Sequence, residues 1–254
     1  MDFSINEDQA MLQDSVAKFI ANDYDFDSRQ ASAATDVGFS RERWTEFAEL
    51  GWTAVPFAEE DGGLDGGPVE LMLMMEQFGK GLVVEPFLPC IILAGGVLKR
   101  LATSQQKAQW LAPLIDGSKL GALAYAEPQS RFDLANVATT ATRDGDDFVL
   151  NGHKAVVLNG GHADTLIVVA RTSGDVTDEH GISLFAIDAD SDGIRRKAYP
   201  TVDARQAAEV YFDNVRVSAE QLLGDVDDGL PTLKAVITDG IIAIAAEAVG
   251  IMQT

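Results

Sequence analysis

The chain has 254 residues and a mass of 27.2 kDa, with 40 acidic against 19 basic side chains and a formal net charge of −21. That balance excludes a nucleic-acid binder, which needs clustered Lys and Arg to neutralise phosphates. Hydrophobic residues at 46% and charged residues at 23% exclude a disordered chain. The lone Cys90 excludes an internal disulfide framework, and three histidines leave little for a structural zinc site.

In chain order, the amino-terminal segment is acidic and lacks the basic start and apolar run of a signal peptide. No apolar stretch nears the roughly 18 residues of a membrane span. The longest, Ile241 to Met252, is broken by Glu247 and Gly250. No membrane span and a cytoplasmic location are therefore expected.

Asn6 caps a first helix whose apolar positions are Leu12, Val16, Phe19 and Ile20. Ser40 caps a second helix with Trp44, Phe47 and Leu50, and Gly51 stops it. The run from Glu59 to Gly67 is a loop, and Pro68 opens the next helix at its first position. A further helix is expected over Leu88 to Leu101, and another after Ser104.

The pattern changes near residue 120. The segments Thr139–Arg143, Phe148–Leu150, Lys154–Leu158, Thr165–Ala170, Ile182–Ile187 and Glu209–Phe212 are short, β-branched and separated by turn signals. Asp144-Gly145 and Asn151-Gly152 read as hairpin dipeptides, and Asn159-Gly160-Gly161 as another turn. From Leu230 a helix is expected to carry a stripe of Leu233, Val236, Ile237, Ile241, Ile244, Ala245 and Ala248, extended by Val249 and Met252, that packs on the β domain or on another chain or else is poorly ordered. The expected architecture is α+β and multidomain: an all-α domain over 1–118, an antiparallel β domain (barrel or sandwich) over 119–228, and the start of a truncated helical bundle over 229–254.

The residues Leu50-Gly51-Trp52, Pro56, Glu59-Glu60, Gly62-Gly63, Met75-Glu76 and Gly79 resemble the amino-terminal domain of the acyl-CoA dehydrogenase family. The runs Ala126-Glu127-Pro128, Val149-Leu150-Asn151-Gly152 with Lys154, Ala170-Arg171-Thr172 and Val215-Arg216-Val217 resemble its β domain, in order. Arg131-Phe132-Asp133-Leu134 and Tyr199-Pro200-Thr201 are similar to its pimeloyl-CoA dehydrogenase-like small-subunit branch. The resemblance implies bound FAD, desaturation of an acyl-CoA substrate by proton abstraction and hydride transfer to the flavin, and an electron-transfer flavoprotein or similar acceptor. It also implies a homo- or hetero-oligomer with a larger acyl-CoA dehydrogenase subunit.

The same resemblance places the cofactor against Tyr125, Ala126, Arg131, Phe132, Val156 and Leu158, and there the sequence departs from the family. The family's Thr-Glu-Pro or Ser-Glu-Pro is Ala126-Glu127-Pro128, its Gly-Ser-Asp is Arg131-Phe132-Asp133, and its Trp-Ile-Thr-Asn is Val156-Val157-Leu158-Asn159. Two readings stay open. In one, FAD binds through backbone amides, with Arg131 pairing a pyrophosphate. In the other, the chain is a non-catalytic partner subunit whose FAD site has decayed, with Phe132 and Leu158 filling it as core. The proton-abstracting glutamate is expected beyond Thr254. Its alternative family position is Gly240, and the adjacent Asp239 reads as a solvated first-turn carboxylate. No metal ligands are expected.

Overall fold

A computed structural model describes residues 4–254. Helix α1 (Glu7–Asp23) starts at Asn6, whose side chain accepts from the Gln9 amide while Gln9 reaches back to the Asn6 N–H. Helix α2 (Phe26–Ala33), which the sequence pattern missed, is capped by Asp25. Helix α3 (Arg41–Glu49) follows the Ser40 cap, and Gly51 ends it with a φ of 77°. Helix α4 (Pro68–Gly81) begins on Pro68 as expected. The expected helix over 88–101 starts as a π-helical segment, Leu88–Ala94, and continues as α5 (Gly95–Leu101). The next helix is capped by Thr103. It runs as α6 (Ser104–Gln106), a π-helical Lys107–Leu111 and α7 (Ala112–Ile115). Phe19, Phe47, Trp52 and Phe78 pack ring on ring at the centre of this half, with centroids 5.0–5.8 Å apart.

The strands are β1 (Gly121–Ala124), β2 (Thr140–Asp144), β3 (Asp147–Leu158), β4 (Thr165–Arg171), β5 (Ile182–Asp188), β6 (Ile194–Pro200), β7 (Gln206–Val217) and β8 (Leu222–Leu223). They form one mixed sheet in the order β6-β7-β3-β2-β4-β5-β8, with β1 parallel to β4. The expected antiparallel barrel or sandwich is thus corrected: the sheet is mixed and open. The short buried run Gly121-Ala122-Leu123-Ala124 supplies the parallel strand, and four small apolar residues carry too weak a pattern to announce it.

Asn151-Gly152 is not a hairpin. It is a bulge inside the continuous strand β3, where Gly152 takes a φ of 156° and a Cβ would meet Thr139 Oγ1 at 2.5 Å. Asp144-Gly145 does lie at a hairpin, since Asp144 pairs with Asp147. Only Gly145 of its two loop residues has positive φ, which fits a II′ turn better than a I′ turn.

Helix α8 (Leu230–Gln253) departs most from expectation. The buried positions are Leu230, Leu233, Val236, Gly240, Ala243, Ala246, Glu247 and Gly250, while Ile241, Ile244 and Met252 of the expected stripe are exposed. The helix packs chiefly on α4 of the amino-terminal half, with smaller contacts to the π-helical segment and α5, rather than chiefly on the β sheet. The cause is backbone contact: a Cβ on Gly79 would sit 2.1 Å from the Glu247 carbonyl oxygen, and one on Gly250 would sit 1.9 Å from that of Glu76. Two helices this close need small residues at the crossing, so glycine and alanine outrank isoleucine. By length and composition α8 could cross a membrane, against the expectation that no segment would reach that length. Its glycine crossing with α4 and its buried Glu247 tie it to the fold.

Candidate functional site

Strand β1 delivers the chain to Tyr125 and Ala126, where the Ala155 N–H donates to the Ala126 carbonyl at 2.9 Å. The end of β1 thereby abuts β3 at its second bulge, between Lys154 and Val157. Beneath this joint lies a buried ion pair. Lys154 is fully buried, and its Nζ donates to Glu127 Oε1 at 2.6 Å and to the Tyr125 carbonyl at 3.2 Å. The Glu127 carboxylate also accepts from the amides of Ala138 at 2.8 Å and Thr139 at 3.0 Å, and from Gln129 Nε2 at 2.6 Å. Burial pushes the Glu127 carboxyl up, but the Lys154 charge and these bonds outweigh it and hold the group at about 2. Burying two charges is costly unless the geometry is fully satisfied. Here the carboxylate takes four donors and two of the three Lys154 N–H groups find acceptors among the described residues, and the pair fixes the Tyr125–Glu127 backbone to β3.

After Glu127 the chain turns. Arg131 has a φ of 50°, and among the described residues no hydrogen bond takes up the amide of Arg131 or of Phe132. Successive free N–H groups in a turn form an anion-binding concavity. Phe132 is 100% exposed, and Val156, with a φ of 53°, is half-exposed. Tyr125 is partly buried and packs on the helical core. The structure thus brings Tyr125, Ala126 and Val156 together as a shelf, with Arg131 and Phe132 on the turn that follows. The notion that Phe132 fills the site as core is corrected, because its ring is directed to solvent. Leu158 does pack against the core, on the wall of a cavity.

That cavity, about 270 Å³, lies between α4, the loop before the π-helical segment, the end of β3, the 203–206 segment and α8. Its apolar walls include Met75, Phe78, Phe87, Leu158 and Ile244. Sequence reasoning missed its polar groups. Glu85 is buried and accepts from the Tyr24 hydroxyl at 2.6 Å and the Ser40 amide at 3.3 Å. Burial pushes its carboxyl above the usual range, and the hydrogen bonds only partly offset that. Tyr24 is pushed up as well, first by burial and then by Glu85. Glu247 pairs with Arg205, whose guanidinium also donates to the Val83 carbonyl at 3.1 Å. A glutamate amid the buried glycines and alanines of α8 was the signal available for Glu247. Nothing in the sequence marks Glu85.

Gly240 is buried, and a Cβ there would meet Leu93 Cδ2 at 2.8 Å, so the position faces core. Asp239 pairs with Arg100 at 2.6 Å. It sits well inside α8, not in the first turn as expected, and serves an ion pair. Among the described residues no cluster of His, Cys, Asp and Glu could hold a metal ion.

The residues present fit a flavin dinucleotide. The shelf is open, two amides are free for a phosphate oxygen, and a mostly apolar cavity begins at Leu158. What they lack is serine and threonine hydroxyls, Tyr125 bearing the one hydroxyl among the named residues, so the main chain of Tyr125, Ala126, Arg131 and Phe132 would carry most of the contacts.

The comparisons with known proteins agree with this fold. Residues 6–118 match the model of the acyl-CoA dehydrogenase N-terminal domain, and residues 122–215 that of the acyl-CoA dehydrogenase middle domain. The probable acyl-CoA dehydrogenase YngJ of Bacillus subtilis is 31% identical over 100% of this chain and 67% of its own length. The structure of butyryl-CoA dehydrogenase from Megasphaera elsdenii is 28% identical with a TM-score of 0.89, covering 98% of this chain and 67% of that one. An FAD complex of PigA is 25% identical with a TM-score of 0.88, covering 100% and 67%. The chain spans about two thirds of the length of these relatives. It belongs to the acyl-CoA dehydrogenase family.

Proposed function

We propose that this chain acts as an acyl-CoA dehydrogenase-like flavoprotein subunit in the α,β-desaturation of an acyl-CoA thioester, with its domains divided at 1–118, 119–228 and 229–254. The observation that carries this reading is the open Tyr125–Ala126–Val156 shelf beside a cavity whose wall begins at Leu158. Bound there, FAD supplies the hydride acceptor. The backbone of Tyr125 and Ala126 orients it, the free amides of Arg131 and Phe132 and the Arg131 guanidinium hold its phosphates, and Leu158 presents an apolar wall to the reacting carbons. The cavity takes the acyl group and excludes water from it. The non-catalytic scaffold is not favoured, since side chains do not close the shelf.

The α-proton acceptor lies outside residues 4–254 in this reading, because Gly240 faces Leu93 and Asp239 faces Arg100. The exposed apolar side chains Ile241, Ile244, Ile251 and Met252 of α8 meet helical parts of the family fold or a larger acyl-CoA dehydrogenase subunit. Electrons pass to an electron-transfer flavoprotein or similar acceptor, and the protein works in the cytoplasm. The test is to express the chain alone and with a large-subunit paralogue, and to measure bound flavin and dehydrogenation of acyl-CoA with an artificial electron acceptor. Flavin absorbance with turnover in either preparation supports the reading. No flavin in both defeats it.

A further inference from the structure

The cavity beside Leu158 is larger and more acidic than a short acyl group requires. Its volume of about 270 Å³ is roughly that of nine waters at ~30 Å³ each, so a four-carbon acyl group would leave most of it unfilled. Unfilled apolar walls forfeit contact energy, whereas a longer chain covers Met75, Phe78 and Phe87 and gains burial.

The charges on the wall decide what the far end of that chain can be. Three carboxylates line the cavity, Glu85, Glu247 and Asp203, against one guanidinium, Arg205. Arg205 is already committed: it pairs with Glu247, lies 3.8 Å from Asp203 and donates to the Val83 carbonyl. Glu85 forms no ion pair among the described residues: Arg43, the cation whose charge it feels, is itself held by Glu46 at 2.9 Å and by the Asp23 carbonyl at 2.6 Å. Both Glu85 oxygens act as acceptors, from the Tyr24 hydroxyl and the Ser40 amide. A second carboxylate brought into this space would face acceptors and like charge with no free cation to meet it.

We infer that the cavity selects long or bulky acyl groups with an uncharged end, and that Glu85 is the residue that turns away acyl groups ending in a carboxylate. This rests on the acyl-CoA reading above and argues against dicarboxylyl thioesters such as pimeloyl-CoA as the substrate class.

The test is calorimetric binding of three thioesters to the purified chain: butyryl-CoA, decanoyl-CoA, and sebacoyl-CoA, the ten-carbon analogue ending in a carboxylate. Decanoyl-CoA is expected to bind on the order of a hundredfold tighter than butyryl-CoA, and sebacoyl-CoA at least about tenfold weaker than decanoyl-CoA. Glu85→Gln, which keeps an acceptor for Tyr24, should narrow the decanoyl–sebacoyl gap severalfold and leave the decanoyl–butyryl ratio unchanged. Equal affinity for butyryl-CoA and decanoyl-CoA, or sebacoyl-CoA binding as tightly as decanoyl-CoA, overturns the inference and leaves the acyl-CoA reading standing. Binding of none of the three overturns both. The wild-type series decides the question even if the variant fails to fold.

Discussion

Glu127 and Glu85 are both buried glutamates near the candidate site, and their surroundings drive them in opposite directions. Glu127, under the shelf, has Lys154 at 2.6 Å and three further donors, and stays ionised far below the usual range. Glu85, on the cavity wall, has a tyrosine hydroxyl, an amide and only the more distant Arg43 charge, with no ion pair, and burial prevails over them. The first arrangement locks three backbone segments in place. The second leaves a carboxyl whose remaining lone pairs can meet a ligand. Burial alone therefore does not say what an acidic residue does; its counter-charge does.

The largest effect should come from removing that counter-charge. Lys154→Met leaves Glu127 buried beside no cation and should destabilise the chain by ~3–5 kcal/mol, read as a drop in the urea midpoint. It should also loosen the Tyr125 carbonyl and lower any bound flavin fraction. A midpoint unchanged within error would show that the pair is dispensable and end the contrast with Glu85.

The α4–α8 crossing comes next. Gly250→Ala places a methyl 1.9 Å from the Glu76 carbonyl oxygen, and Gly79→Ala places one 2.1 Å from that of Glu247. Neither contact is tolerable without parting the helices, so each should cost about 1–3 kcal/mol. Because Glu247 lines the cavity, Gly79→Ala should also shift the Arg205–Glu247 pair and change acyl-CoA affinity. By contrast, Ile241→Ala on the exposed face should change the stability of the isolated chain little.

This crossing also shows what the sequence hid. Caps and turn residues at Asn6, Ser40, Gly51 and Pro68 marked helix ends correctly, because each acts through bonds within a few residues. The buried face of α8 is a tertiary property. Hydropathy selected the isoleucines, whereas close approach of two backbones selected Gly240, Ala243, Ala246 and Gly250. Gly152 misled in the same manner: its local signal is a hairpin, but the nearness of Thr139 makes it a bulge in a long strand. Of the site, Tyr125, Ala126, Val156 and Leu158 were legible through family resemblance, since motif order survives even where side chains change. Glu85 was not, because only the folded chain brings Tyr24 and Ser40 to it.

The pH dependence should separate the two glutamates by sign. Glu127 has its folded value depressed from 4.5 to about 2, so its stabilising contribution is complete above about 4.5 and is lost as pH falls towards 2. The stability gap between wild type and Glu127→Gln should close over that window. Glu85 is raised above its ordinary 4.5, so the folded state holds the proton longer and stability falls as pH rises past 4.5. Wild type should therefore lose ground to Glu85→Gln as pH rises, by about 1.4 kcal/mol per unit of upward shift. Two slopes of the same sign, from urea titrations across pH, would refute the contrast.

The smallest effect on stability belongs to Phe132. Its ring is 100% exposed and packs on nothing among the described residues, and surface positions of this kind change stability by less than about 0.5 kcal/mol. Phe132→Ser should leave the urea midpoint in place. Flavin retention is a separate readout. The Phe132 amide is free in either variant, so a cofactor held by main chain alone should bind both equally. If serine restores a hydroxyl contact that the family uses, flavin affinity should rise severalfold, about the worth of one hydrogen bond. A stability loss of more than ~1 kcal/mol would mean that the ring is packed after all, as the filled-site reading holds, and would remove the open shelf on which the proposed function stands.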